Sequence, residues 1–160
     1  MEKQEKTNVM RFLDAKKIEH KCYFFDCVQA PSGEEVAQIL GKDARQVFKT
    51  LVTTGKSGAH YVFMVPVTGE LDLKKAAHAA GEKNIEMLKA KDLLPLTGYV
   101  HGGCSPIGMK KNFPTFIDSS ARELETIIFS AGKIGRQVEL SPKDLEKAIR
   151  ITYAELGQEE

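Results

Sequence analysis

Apolar residues recur at two different periods along this chain of 160 residues, and the switches between them predict both helices and strands. Val9, Phe12 and Leu13 follow i, i+3, i+4 spacing behind Thr7 and Asn8, which predicts a first helix. Cys22 to Cys27 reads as an aromatic-rich strand. Ser32-Gly33-Glu34-Glu35 is a capping box that opens a second helix, with Val36, Ile39 and Leu40 inward and Gly41 as its stop. Gln46 to Thr54 and His60 to Val67 read as two strands joined through Gly55-Lys56-Ser57-Gly58. Asp72 caps a helix with Leu73, Ala76, Ala77 and Ala80 on one face and Gly81 at its end, and a further helical stretch lies near Ala90 to Leu94. Strands follow at Thr115 to Asp118, Thr126 to Ser130 and Gln137 to Leu140. Ser141-Pro142 then starts a last helix with Leu145, Ala148 and Ile149 inward. With no repeat, low-complexity tract or linker, the expectation is one α+β domain over residues 1–160, a mixed or antiparallel curved sheet flanked by helices.

One position breaks the pattern. Lys49 sits inside Val47-Phe48-Lys49-Thr50-Leu51-Val52, where alternation puts it on the same face as Val47 and Leu51. An ammonium among apolar neighbours costs free energy unless it finds a partner or reaches water. Either its stem snorkels along an edge strand, which is the commoner case, or its charge is held for a ligand.

Composition narrows the setting. The apolar fraction is 42% and the charged fraction 28%, as in soluble globular domains, and no apolar run is long enough for a transmembrane helix. The polar, mixed-charge MEKQEKTNVMRF reads against a secretory signal, and three cysteines suit a reducing compartment, so a cytoplasmic location is expected. The net charge of +1 gives little overall pull on nucleic acid. Any polyanion would be held by local clusters such as Lys74-Lys75, Lys110-Lys111 or Lys133 with Arg136, each of which is otherwise a solvated face.

Candidate chemistry concentrates in Thr97-Gly98-Tyr99-Val100-His101-Gly102-Gly103-Cys104-Ser105-Pro106-Ile107-Gly108. Three glycines and a proline in its last seven residues make a rigid loop whose N–H groups can approach a carbonyl oxygen, an oxyanion or a phosphate. The alternative is a tight connection, and the following Lys110-Lys111 favours an anionic ligand. Cys104 with His101 three residues away invites a nucleophile reading, but no third group orients them and cytoplasmic cysteines are usually small packed residues. The cysteines and histidines lack the paired spacing of structural zinc sites, so no metal is expected. No P-loop, dinucleotide fingerprint, zincin motif or nucleophile elbow is present. Ser130-Ala131-Gly132-Lys133-Ile134-Gly135 is a hairpin turn or a second pocket wall, and Asp118 is a strand-end cap or part of the same wall.

Taken in order, VFKTLV at 47–52, ELDLKKAA at 70–77, TGYVHGGCSPIG at 97–108, the KK after it, FIDSSA at 116–121 and SAGKIG at 130–135 resemble the YbaK/EbsC family of aminoacyl-tRNA deacylases. The resemblance covers roughly residues 8–150. It implies the fold of the editing domain inserted in bacterial prolyl-tRNA synthetases, and removal of a wrongly attached amino acid from tRNA in trans. By position, Lys49 is the family's essential lysine and Thr50 its neighbour, Gly102-Gly103 the Gly-Gly loop and Ser130 the strand-end serine. Ser105, Pro106, Asp118 and Gly132 fall in the same motifs and are expected on the substrate side. The family's pocket tyrosine falls at Phe25, with Tyr23 two residues earlier on the same strand face. Its carboxylate falls near Gln137, which cannot ionise, and Cys104 replaces a residue that is commonly apolar.

The implied substrates are Cys-tRNA(Pro) and Cys-tRNA(Cys), with no cofactor and with the aminoacyl-tRNA acceptor end as partner. Near-neutral charge makes a docking partner such as prolyl-tRNA synthetase plausible. In the implied mechanism the substrate's own thiolate attacks its ester carbonyl while Lys49 and the Gly102 and Gly103 amides stabilise negative charge. The competing readings are water hydrolysis of another misacylated tRNA (alanyl, seryl or prolyl), and a module that binds acceptor ends or a synthetase without chemistry.

Overall fold

The computed structural model describes residues 5–27 and 29–158. Local signals act where the sequence puts them. Helix α1 (Asn8–Ala15) starts at Thr7, whose Oγ1 accepts from Met10 N at 3.2 Å, and it buries Val9, Met10 and Leu13. Helix α2 (Gly33–Leu40) has the reciprocal Ser32–Glu35 capping box and ends at Gly41 in the left-handed region, φ +66°. Ile39 departs from its expected inward role and is 49% exposed. It lies about 110° around the helix from the centre of the Val36, Ala37 and Leu40 face, beyond the arc one packed surface can cover. Helix α3 (Leu73–Ala80) is capped by Asp72, and Ala76 and Ala77 carry its burial while Leu73 at its start stays exposed.

Two sheets form. The smaller has the order β1-β7-β6, from Lys21–Phe24, Arg136–Leu140 and Ile127–Lys133, and is antiparallel throughout. The larger has the order β4-β2-β3-β5-β8. Here β2 (Phe48–Gly55) and β3 (His60–Pro66) make the expected hairpin, while β3 and β5 (Thr115–Asp118), and β5 and β8 (Thr152–Ala154), run parallel. β4 (Ile85–Met87) and β8 have three residues each, too few for a period to show in sequence, and both lie at the sheet's edges.

Successive residues of β3 point to opposite faces, and both faces are covered. Met64 joins Ile117, Phe129, Val138 and Leu140 in the main core, closed by Val9 and Leu13 of α1 and by Leu145 of α5 (Pro142–Ala148), the helix that follows α4 (Ala90–Thr97) in the chain. Phe63 and Val65 pack instead with Ala76 and Ala77 of α3. Burying such side chains stabilises the fold by roughly 1.5–3 kcal/mol each. A parallel bridge from Val47 to Ile128 ties the two sheets together and brings β2 beside β6.

Candidate active site

Between Phe48 and Val52, β2 has β3 on one side and no strand on the other among the described residues. β4 pairs only with Thr53–Gly55, although Leu88 N still donates to Val52 O at 3.0 Å. A cleft of about 460 Å³ runs along this open edge. Lys49, which shares a strand face with Val47 and Leu51, and Thr50, which shares the opposite face with Phe48 and Val52, both line it. The N-terminus of α2 borders it at Ser32 and Gly33, the glycine loop at Gly102 and Cys104, and the smaller sheet at Ser130 and Gln137, which are directly paired across β6 and β7. The structure thus brings together Lys49, Thr50, Gly102 and Ser130 from three separate sequence motifs.

Lys49 and the imidazole of His101 are the ionisable nitrogen groups lining this cleft, and no carboxylate lines it among the described residues. Lys49 Nζ lies 3.3 Å from Glu70 Oε2, with the lysine side chain 27% exposed and the glutamate 73%. A pair this open to solvent contributes about 0–1 kcal/mol, so the ammonium is available to exchange partners. Thr50 Oγ1 is buried without a hydrogen-bond partner. Gln137 is 6% exposed and its carboxamide makes no hydrogen bond with the described residues. A buried polar group left unpaired costs on the order of 1–3 kcal/mol. Thr50 Oγ1 therefore favours a ligand that can bond to it.

The glycine loop meets steric demands that only glycine satisfies. Gly102 has φ +88°, and a Cβ there would come 2.8 Å from Ala30 Cβ. A Cβ on Gly103 would meet Ile134 N and Lys133 Cα at 3.2 Å, so the loop is pressed against the β6–β7 turn. The Gly103 N–H donates to Val100 O at 3.0 Å, whereas the Gly102 N–H makes no backbone hydrogen bond among the described residues. The expected pair of oxyanion donors is thereby reduced to one free amide. Ser130 Oγ accepts from Gly132 N at 3.2 Å, which leaves its own O–H to donate into the cleft, and Gly132 holds the turn at φ +100°.

Cys104 lines the cleft but is 9% exposed, and burial pushes its thiol up to about 12. No hydrogen bond joins it to His101 among the described residues, so it lacks both the thiolate and the base a nucleophile needs. The remaining expected site residues lie outside the cleft lining. The Tyr23 hydroxyl donates to Glu139, and Phe25 packs against the Val36, Val47 and Ile128 cluster, of which Val36 and Val47 line the cleft. Ser105 is fully buried and accepts from Ile107 N at 3.3 Å, while Pro106 lines a different cleft. Asp118 accepts from Ser120 N and Leu156 N at 3.2 and 2.9 Å, a cap and a tie between strands. The α2 N-terminus and the apolar rim of Leu88 and Leu93 were not legible as site residues, since nothing local marks a capping box or a leucine as facing a ligand.

Residues 27–148 match the family model described as an aminoacyl-tRNA editing domain. Over 158 residues the chain is 46% identical to the Enterococcus faecalis protein named "Putative Cys-tRNA(Pro)/Cys-tRNA(Cys) deacylase EbsC", covering 98% of this chain and 96% of that one. It is also 30% identical over 107 residues to the proline–tRNA ligase of Shouchella clausii, of which those residues span 19%. Among solved structures, one titled as a putative trans-editing enzyme for prolyl tRNA synthetase superposes with a TM-score of 0.84 at 23% identity, covering 97% of this chain and all of the other, a likeness of fold.

Proposed function

As the chain belongs to the aminoacyl-tRNA editing domain family, we propose that it is a trans-editing deacylase that removes cysteine from Cys-tRNA(Pro) and Cys-tRNA(Cys). The observation that carries this reading is the cleft's lining among the described residues: one ammonium, whose Glu70 partner lies outside the lining and largely in solvent, with neutral polar groups and no carboxylate beside it. Such a lining attracts a phosphate or an ester oxygen on which negative charge develops.

In the proposed reaction the terminal adenosine places its aminoacyl ester at the β2 edge. The substrate's deprotonated thiol attacks its own carbonyl carbon and forms a C–S bond and a tetrahedral oxyanion. The oxyanion collapses and breaks the C–O bond to the ribose, whose oxygen takes up a proton as the tRNA leaves. Cysteine departs as a cyclic thioester. Gly102 N–H and Lys49 stabilise the oxyanion, and a single such donor is worth about 2.7–4 kcal/mol in comparable sites. The thiol requirement supplies selectivity that volume alone cannot, since one methylene discriminates by only about 1–3 kcal/mol.

His101 on the cleft wall favours a second reading, water hydrolysis of an alanyl, seryl or prolyl ester with the imidazole as base. A deacylation panel over cysteinyl-, seryl-, alanyl- and prolyl-tRNA separates the two. Multiple turnovers on cysteinyl-tRNA alone support thiol assistance, and rapid release of serine overturns it. Release that never exceeds the protein present would instead mark a binding module. With a net charge of +1, a docking partner such as prolyl-tRNA synthetase fits delivery of the substrate.

A further inference from the structure

A second cleft, of about 670 Å³, opens on the far side of the same glycine loop. His101, Gly102 and Cys104 border the first cleft, and Pro106, Met109 and Lys111 border the second, so one short loop separates them. The far wall of the second cleft is the α5–β8 connection at Arg150. Lys111 and Arg150 are both exposed, and neither has an ion-pair or hydrogen-bond partner among the described residues. Among the described residues no acidic side chain lines this cleft, although the chain as a whole holds 22 carboxylate side chains against 23 lysines and arginines. Phe113 supplies a half-buried aromatic wall and Asn112 an amide.

Two unpaired cations beside an aromatic and an amide, with carboxylates kept away, fit a polyanion that also carries flat rings. We propose that this cleft binds the single-stranded nucleotides just upstream of the terminal adenosine, with Lys111 and Arg150 on their phosphates and Phe113 against a base. The proposal rests on the deacylase reading for its choice of strand. It accounts for how a chain of almost zero net charge grips an acceptor end, since the attraction is local.

The test is the Lys111→Ala/Arg150→Ala double variant, whose melting temperature should not move because both side chains are exposed and unpaired. Its kcat/KM on cysteinyl-tRNA should fall about tenfold at low salt. The slope of log kcat/KM against log salt should become shallower by about 1.4, the loss of two single-strand phosphate contacts. Cysteinyl-adenosine, which lacks the upstream phosphates, should be turned over equally by variant and wild type. Lys111→Arg/Arg150→Lys should restore the slope. Anisotropy with a 5′-labelled RNA ending in the acceptor CCA, uncharged, reads the cleft without any chemistry. A changed binding slope with no deacylation of any substrate would retain the cleft and sink the deacylase reading. Unchanged slopes in both assays would overturn the cleft assignment while leaving deacylation intact.

Discussion

Lys49 and Thr50 are adjacent in sequence and point to opposite faces of β2, yet both line one cleft because the strand's edge is open beside them. The ammonium rests 3.3 Å from Glu70, a partner that is itself largely in solvent. Lys49→Ala is expected to lower deacylation of cysteinyl-tRNA at least 100-fold while the melting temperature shifts by no more than a few degrees. Glu70→Gln removes only the resting partner and should keep most turnover, with stability within about 1 kcal/mol of wild type. Unimpaired turnover by Lys49→Ala would remove the lysine from the mechanism.

Cys104→Ser should retain most activity, because burial holds this thiol protonated. The same burial shapes alkaline stability. Cys104 rises from 9.0 to about 12 and Tyr99 from 10.0 to about 12 on folding, both chiefly by burial. Their protons are bound more tightly in the folded chain, so their contribution is complete below pH 9 and is lost as pH climbs toward about 12. Urea midpoints measured between pH 8 and pH 11 should fall, and the fall should be smaller in Cys104→Ser. An identical slope in the variant would show that this thiol plays no part.

Gly102→Ala adds a Cβ where φ is +88° and Ala30 Cβ is 2.8 Å away. The left-handed backbone alone costs about 1–2 kcal/mol for an alanine. Turnover should fall more than stability, since the loop's free amide is displaced from the β2 edge. Comparing kcat with the melting temperature checks this, and full activity in the alanine variant would exclude the Gly102 amide as an oxyanion donor.

His101→Gln tests the role of the imidazole on the cleft wall. Thiol assistance predicts less than a fivefold change in kcat on cysteinyl-tRNA. General-base hydrolysis predicts a loss on the order of 100-fold or more. The pH–rate profile of the variant provides a second readout, since removal of a catalytic imidazole would abolish any inflection it causes.

Tyr23→Phe removes a hydroxyl that donates to Glu139. Burial pushes the Glu139 carboxyl up, but hydrogen bonds from Thr126 and Tyr23 and the charge of Lys42 outweigh it and hold the group below its ordinary value. That contribution is present above about pH 4.5 and is lost as pH falls. The variant should lose about 1 kcal/mol of stability at neutral pH, with a shallower decline on acidification, and should keep its turnover. A large loss of turnover at unchanged stability would return Tyr23 to the substrate side.

Much of this architecture is legible before folding because its signals are local. The Ser32–Glu35 box, the Asp72 cap and the left-handed stops at Gly41 and Gly81 act within a few residues of themselves. The strand at Thr115–Asp118 appears with the expected bounds. What the sequence conceals depends on neighbours. Ile39 looks like a core residue until the packed face of α2 is known, and Gly103 looks like an amide donor until Val100 claims its N–H. Gln137 is a polar residue in a strand until its pairing with Ser130 sets it in the cleft. The edge strands β4 and β8 are too short to have a period, so the opening beside β2 could not be read from sequence.

That opening follows from β4 reaching only as far as Thr53. An unpaired strand edge is also a template on which another chain can add and aggregate. The fold limits the hazard by keeping the exposed stretch short and by placing a charged lysine within it. On the proposed mechanism, the same side chain both discourages strand addition and serves the chemistry. A neutral residue at position 49 risks solubility as well as activity, and any pairing that lengthened β4 by two residues would protect the edge only by sealing the site.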